Sequence, residues 1–531
     1  MTEQQRSRIG DGTMETESGT MSKSRLNWMM AALLFSIFLT QLDQTIVSTA
    51  LPTIVAKLHG FDQMSWVFTV YMLASTVVMP IAGKLSDIYG RKQFYMFGLV
   101  LFVAGSALCG VAGSMVQLVL FRGIQGIGAG FLTPITFTLL FSIMPRERAG
   151  IYNTLYMSVF ALSSVIGPSL GALITEYFDW RWNFYINLPF GLFIFLVLNK
   201  LLVKSKVGEK RPSIDVAGAL LLAGATLSIL LGLKMGGVDY AWFSWQIVGL
   251  LVLGAAFLAI FLIVEMRVKE PILPLALFRS KVISGTLAAT FLQGIMMFGA
   301  LVYIPLFVQG SLGGDVSDAG NALTPLMFAV MVGASVGTSL IKSWSWRSNI
   351  LLSMILTGTG LAAMIAMPLD VNVWLMRLIM VLIGMGIGIM MMVGQMAVSM
   401  SAEEKFKGVA TSTVGFSRSV GGVFGTAVLS AIINNRLASK IAEQADKLNL
   451  SADGVQELVD PQALLNVDSG LPAATKAVLR EVLGDTVQYG FWFLLAAAAA
   501  GVVAAVWTGS ERYHSEPKGK QAKVEAEPHM M

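Results

Sequence analysis

Apolar runs long enough to cross a bilayer recur along almost the whole chain, each followed by a polar or charged loop. They cover residues 28–50, 65–83, 94–112, 116–143, 151–174, 184–202, 216–236, 245–264, 282–308, 320–341, 349–367, 373–398, 409–433 and 487–507. A hydrocarbon core needs about twenty residues of α-helix, so the pattern predicts about fourteen membrane-spanning helices. Strands are excluded as spans, because barrel strands are shorter and alternate in polarity.

Composition sharpens this picture. The 531 residues are 55% hydrophobic and 13% charged, with a mean hydropathy of +0.70, more apolar surface than a soluble core conceals. Lys and Arg fall in alternate loops: Lys84, Arg91 and Lys92; Arg146 and Arg148; Lys204, Lys206, Lys210 and Arg211; Arg267, Lys269, Arg279 and Lys281; Lys342 and Arg347; Lys405 and Lys407. The opposite loops are acidic or nearly uncharged, and the positive-inside rule puts the basic set in the cytoplasm. An even number of spans then places both termini there. The first run has the length of a retained helix, with no cleavable signal before it, and within the N-terminal tail 1–27 the polar stretch 1–24 reads as unstructured. The sequence pI of 9.1 reflects basic loops at anionic lipid headgroups and requires no nucleic-acid partner.

A weak internal repeat organises the spans. Gly126, Gly128 and Gly130 alternate in the fourth run, which leads to Gly150; Gly384, Gly386 and Gly388 alternate in the twelfth, which leads to Gly408. In the next run of each set, Gly167, Pro168 and Gly171 match Gly421, Gly422 and Gly425. The offset predicts two six-helix bundles, 28–203 and 282–508, joined through 204–281, which holds a basic linker and two inserted helices, and ending in a tail over 509–531. Residues 434–486 form an outer segment too long for a plain connection. Leu437, Ile441, Ala445 and Leu448 share one helical face, as do Val478, Leu479, Val482 and Leu483, which predicts a short helical hairpin.

Few groups within the spans carry chemistry. Asp43 is the only carboxylate well inside a run, and such a residue costs roughly 2.5–3.5 kcal/mol on insertion scales and marks an ion or substrate path. Arg122 lies at a similar depth and needs a partner; Gln125 follows it by three residues, on the same helical face. Arg122 either engages Asp43 or bonds backbone carbonyls. Removal from water opposes ionisation of Asp43, and a neighbouring cation supports it. Arg418 sits mid-run in the second half with no acid at its depth, so it faces a water-filled cavity or the groove between bundles. Gln293, Gln309 and Gln395 add neutral hydrogen-bonding capacity. Met296, Met297, Met327, Met391, Met392 and Met396 either line an adaptable pocket or pack in the core and against lipid.

Other classes lack their signatures. His59, His514 and His529 are far apart and outside the runs, with no metal-ligand clustering, and the Gly123–Gly130 run has no preceding strand and no phosphate-loop Lys. Cys109, alone in an apolar run, reads as a packing residue. Neither an enzyme nor an ATP-driven pump is expected.

Five motifs carry a family resemblance. The run Gly83, Lys84, Leu85, Ser86, Asp87, Ile88, Tyr89, Gly90, Arg91, Lys92 resembles the cytoplasmic signature loop of the major facilitator superfamily. Leu118, Arg122, Gln125 and Gly126 resemble its fourth-helix motif, and Ser163, Gly167, Pro168, Gly171 and Ala172 its fifth-helix antiporter motif. With Leu42, Asp43, Thr45, Ile46, Val47, Ala50, Leu51 and Pro52, and with Trp180, Arg181, Trp182, Phe184, Ile186, Asn187, Pro189 and Gly191, the chain is similar to the fourteen-helix drug:proton antiporters. Ser163 and Ala172 stand where that family often has Gly, and Ser48 where it often has Asn.

The resemblance implies an all-α polytopic protein with the major facilitator fold, exporting amphipathic or hydrophobic drugs by alternating access. It implies a monomer in the bacterial inner membrane, driven by the proton gradient without a cofactor, whose partners are small amphipaths, protons and lipids. Asp43 and Arg122 would couple the proton. Gln125, Gln293, Gln309, Gln395, Met296, Met297 and Arg418 are the candidates for the substrate cavity. Gly83, Asp87, Gly90, Arg91 and Lys92 would form a conformational latch, although ordinary positive-inside topology also explains Arg91 and Lys92. Gly167, Pro168 and Gly171 would seal a helix against proton leakage, with tight packing alone as the other reading. A facilitator or exporter of one metabolite without proton coupling, and a non-transporting receptor, are the alternatives.

Overall fold

The computed structural model describes residues 13–16, 19–58, 63–64, 66–143, 149–202, 215–237, 239–312, 316–368, 373–448 and 473–512. Among the described residues fourteen long helices follow one another: α1 Lys23–Leu58, α2 Trp66–Tyr89, α3 Arg91–Gly110, α4 Met115–Ile143, α5 Ala149–Tyr177, α6 Asn187–Leu201, α7 Val216–Met235, α8 Trp245–Glu265, α9 Lys281–Gly310, α10 Val316–Leu340, α11 Trp346–Ile365, α12 Val373–Ser401, α13 Lys407–Leu448 and α14 Ala473–Trp507. Thirteen stretches of the described residues are long and apolar enough to cross a membrane, and α5, with 29 residues, takes the place of the fifth expected span. Helices satisfy every interior backbone group within themselves, which is what a lipid environment demands.

Three elements differ from expectation. Thr13–Thr16 and Gly19–Ser22 pair as an antiparallel hairpin, β1 and β2, with Thr13 opposite Ser22, inside a stretch read as unstructured. A one-turn helix, Trp182–Tyr185, turns the chain into α6. At the two ends of the outer segment the described residues continue the spans: α13 runs unbroken for 42 residues to Leu448 and α14 begins at Ala473. Both arms are extensions of the spans, because the apolar stripe of α13 simply continues, burying Leu437 and Ile441 in one core with Val482 and Leu483 of α14. Residues 449–472, both outermost tails, and the loops with Arg146, Arg148, Lys204, Lys206, Lys210 and Arg211 lie outside the described residues.

The repeat is visible in the packing. In the first bundle α4 packs on α2 and α3, and α5 on α1; in the second α12 packs on α10 and α11, and α13 on α9. Glycine sets these approaches. A Cβ at Gly126 or Gly130 would strike the Tyr71 or Ser75 carbonyl of α2, and at Gly384 or Gly388 the Leu326 or Val330 carbonyl of α10. Gly128 meets α3 at Phe102 as Gly386 meets α11 at Thr357, and Gly171 meets Ile46 as Gly425 meets Ile295. Small residues that let backbones touch replace the hydrophobic drive absent from lipid.

Across the bundles, α2 and α4 pack on α13, and α5 on α10. Along the α2–α13 seam, Asp87 meets Gly408, Gly83 meets Gly408 and Ser412, and Met79 meets Gly415. The seam therefore tightens toward the end of the molecule that carries Lys84, Arg91 and Lys92, here called the basic end. The inserted pair α7 and α8 pack on each other, and α7 also touches α2 and α13. Val252, Leu253, Ile260 and Ile263 of α8 remain exposed, as suits a helix facing lipid.

Gly171→Leu forces α5 away from α1, an overpacking cost of about 1–3 kcal/mol. It is expected to lower the yield of monodisperse protein extracted from membranes, read by size-exclusion chromatography. Wild-type yield and transport together would show that this close approach is dispensable.

Candidate functional site

Asp43 lies on α1, twenty residues after its start at Lys23, or about 30 Å along the helix. It is wholly buried, as are Arg122 and Gln125. Both partners come from α4: an Arg122 terminal nitrogen donates to one Asp43 carboxylate oxygen at 2.6 Å, and the Gln125 amide donates to the other at 2.7 Å. The same Arg122 nitrogen donates to Gln125 Oε1 at 2.8 Å, closing a triangle, and its Nε donates to the Val67 carbonyl at 3.3 Å. The two readings of Arg122 are thus both realised. Its guanidinium also lies over the Tyr71 ring, 4.2 Å from the centroid, and Cys109 Sγ lies 3.7 Å from Gln125 Oε1.

A fourth member was not singled out in the sequence. Asn187, the first residue of α6, donates through its amide nitrogen to Asp43 at 2.8 Å and to Ser106 Oγ at 2.9 Å. Ser106 in turn donates to the Phe184 carbonyl at 2.8 Å. The corner before α6 fixes this residue: Trp180 and Phe184 are fully buried and stand edge to face at 6.1 Å. The available signal was an amide at the mouth of an apolar run, which asks for a partner at membrane depth. Three donors from two helices therefore converge on one carboxylate, each a charge-assisted bond. Deleting one partner of such a buried pair costs about 3–5 kcal/mol, because the other charge is stranded.

Beside the pair, α5 seats against α1. Gly167 abuts Thr45 and Gly171 abuts Ile46, and Thr45 Oγ1 donates to the Ser163 carbonyl at 3.1 Å. The side chain of Pro168 lies outside the described residues.

The expected latch divides in two. Asp87 crosses the bundles: its carboxylate oxygens accept from the Gly408 and Val409 backbone amides, each at 3.0 Å, capping the start of α13 where the helix dipole favours negative charge. Gly83 allows the approach, since a Cβ there would sit 2.6 Å from the Gly408 carbonyl oxygen, and Gly90 makes the turn into α3 with φ 99°, a conformation suited to glycine. Arg91 reaches Glu404 at 3.8 Å. Lys92 works inside the first bundle instead, donating to the Asn199 and Leu202 carbonyls at the end of α6. Lys84, quoted only as part of the motif, is buried and pairs with Glu270 at 2.9 Å.

Between α2, α4, α12 and α13 lies a small, partly open cavity. Met79 and Phe137 line it from the first bundle and Met391, Gln395, Thr411 and Arg418 from the second. Gln395 donates to the Thr411 carbonyl at 3.2 Å, and Arg418 Nε donates to Gln293 Oε1 at 3.1 Å, so Gln293 stands behind the lining. Four other cavity candidates are placed elsewhere. Met296 and Met297 belong to the packed core of the second bundle; Gln309 is half-buried one residue before the end of α9; Gln125 belongs to the Asp43 cluster.

Replacing Asn187 with Leu removes one donor from a charged acceptor, worth about 1.5–3 kcal/mol. A lower melting temperature in lipid nanodiscs is expected, and an unchanged one would show the bond contributes nothing. Asp87→Asn weakens the cap on α13 by about 1 kcal/mol. Spin labels on α2 and α13 at the basic end should then report a broader, longer distance distribution; an unaltered distribution would remove the latch.

Comparison with known proteins follows the same lines. The family model described as Major Facilitator Superfamily matches residues 33–218 and 214–426. "Multidrug transporter protein MdtP" of Bacillus subtilis (strain 168) is 33% identical over 509 residues, covering 92% of this chain and 93% of that protein. "Multidrug resistance protein 3" of the same organism is 35% identical over 503 residues, covering 93% and 98%. The "Efflux pump aunC" of Aspergillus niger is 28% identical over 521 residues, covering 95% and 90%. With two packed six-helix bundles and a matching model across most of its length, the chain belongs to the major facilitator superfamily of membrane transporters.

Proposed function

We propose that this transporter is a proton-coupled multidrug exporter of the fourteen-helix type, working as a monomer in the bacterial inner membrane with both termini in the cytoplasm. The observation that carries the reading is the Asp43 cluster, a carboxylate held at 0% exposure by Arg122, Gln125 and Asn187. Among the described residues this is the ionisable pair buried on both sides, and intramembrane acids of this kind mark proton paths. The multidrug names of the two Bacillus relatives support the substrate range.

The positive-inside rule makes the basic end cytoplasmic. The structure is then the state closed to the cytoplasm, sealed by Asp87 on α13, with the cavity above the seal. Asp43 does not line that cavity, so drug and proton act on each other through helix positions. Protonation cancels the charge that holds Arg122 and Gln125 to α1, loosening α1 from α4; loss of the proton draws them together. Since α1 also carries the seat of α5, this equilibrium reaches the α5–α10 contact between bundles. Coupling of this kind is reciprocal: whatever proton binding does to drug affinity, drug binding does to proton affinity.

Asp43→Asn keeps the shape and removes the titration. The variant is expected to reach the membrane and bind neutral amphipaths, to lose accumulation against a gradient, and to bind drug without pH dependence. Proton flux in proteoliposomes carrying a pH-sensitive dye checks this. Drug-driven proton movement at the wild-type rate in the variant would overturn the assignment.

A further inference from the structure

The packing of α4 on α2 brings an aromatic ring to the cation of the buried pair. Gly126 stands one turn after Arg122 and lies against the α2 backbone, where a Cβ would come within 2.5 Å of the Tyr71 carbonyl oxygen. That approach seats the wholly buried Arg122 guanidinium 4.2 Å from the centroid of the buried Tyr71 ring, and the Phe184 centroid lies 6.0 Å away. The repeat supplies a control. Gly384 meets Leu326 of α10 as Gly126 meets Tyr71, and Gly425 meets Ile295 as Gly171 meets Ile46. Counted from these contacts, Asp43, Tyr71 and Arg122 correspond to Leu292, Leu326 and Met380, none of them charged or aromatic. The ring stands in the bundle that holds the cation and is missing where the cation is missing, so helix packing alone does not explain an aromatic residue at 71.

The titratable and charged groups at the pair are Asp43, Tyr71, Cys109 and Arg122, from α1, α2, α3 and α4; α6 brings the neutral Asn187. When Asp43 takes a proton from water its charge is gone, and no second carboxylate among the described residues pairs with Arg122. What remains within reach of the guanidinium is neutral: the Val67 carbonyl at 3.3 Å, Gln125 Oε1 at 2.8 Å and the two rings. A ring face attracts a cation most strongly where both are out of water. In the ionised pair the carboxylate already offsets that cation, so the ring stabilises the protonated state more than the ionised one.

We propose that Tyr71 is a positioning residue for proton coupling: its ring holds the Arg122 guanidinium while Asp43 is protonated, so that α4 stays on α2 and α1 is the element released. Without the ring, a stranded buried cation either draws in water or drives the proton off Asp43. The proposal rests on the proton-coupled reading above and names the residue that keeps the protonated state within reach.

The test is an infrared pH titration of the full chain in phosphatidylcholine membranes, in which the carboxyl C=O band that Asp43→Asn removes reports protonation of Asp43 without any drug. Tyr71→Leu is expected to move the midpoint of that band to lower pH by about one unit, a tenfold change in proton binding. Tyr71→Phe keeps the ring and should stay close to the wild type. Phenylalanines carrying one, two and three ring fluorines at position 71 keep the shape and progressively deplete the ring face, so the midpoint should fall stepwise along the series. An unmoved midpoint across that series overturns the proposal, as does a shift in Tyr71→Phe as large as in Tyr71→Leu, which assigns the effect to the hydroxyl. The fluorinated series decides the matter even where Tyr71→Leu fails to fold. If the wild type shows no titrating band that Asp43→Asn removes, the proton-coupled reading falls and this proposal with it; a titrating band indifferent to the ring ends this proposal alone.

Discussion

An ionised carboxylate and a guanidinium kept entirely out of water can persist only if each is the other's solvent, and the first bundle is arranged around that requirement. Asp43 needs donors that no lipid supplies. Four helices contribute to meeting the demand: α4 brings Arg122 and Gln125, α6 brings Asn187, α3 brings Ser106 to hold Asn187, and α2 brings the Tyr71 ring and the Val67 carbonyl to hold Arg122. Displacing any one of them leaves a buried polar group short of a partner. The cluster thus specifies the mutual position of helices whose apolar surfaces alone would tolerate sliding.

The second bundle repeats the scaffold without the chemistry. Four residues before Gly126 stands Arg122; four residues before Gly384 stands Met380, itself fully buried. Glycine contacts with the facing helix recur on both sides, so the backbone geometry does not require the charge pair. Instead the first helix of the second bundle, α9, offers the neutral Gln293, and its partner is Arg418 of α13. One bundle holds a compensated pair away from the cavity and the other sets Arg418 on its wall.

Much of the fold was legible because its causes are local. Span length, loop charge and glycine spacing are written in consecutive residues, and they locate the helices, the repeat and the two inserted helices. Asp43 and Arg122 were legible for an energetic reason, since charges at that depth are too costly to be incidental. Asn187 was present in the run from Trp180 to Gly191, yet its role depends on a corner whose direction no periodicity encodes. The methionines show the opposite limit. Met296, Met297, Met391 and Met392 have identical local credentials, and only helix rotation decides that Met391 meets the cavity while the others fill the core. The unbroken course of α13 past Ile433 was obscured because polar residues on its open face resemble a loop, whereas the stripe of Leu437 and Ile441 follows helical spacing throughout.

The inserted pair is not a passive spacer in this arrangement. Lys84 stands one residue after Gly83, on the seam between α2 and α13, and its ammonium is almost fully covered. Its counter-ion, Glu270, comes from the turn just after α8, and the Phe406 ring ahead of α13 lies 5.7 Å away. One cation is therefore shared by the first bundle, the insert and the approach to the second bundle. A buried ammonium without its carboxylate is costly, so parting α2 from α13 at the basic end either carries the loop at Glu270 along or hydrates Lys84. In the first case the insert moves with α2; in the second, water enters the seam at the moment it opens. Either way the loop joining the insert to the second bundle is mechanically part of the closure that Asp87 caps, and the insert's own contacts with α2 and α13 follow from that placement.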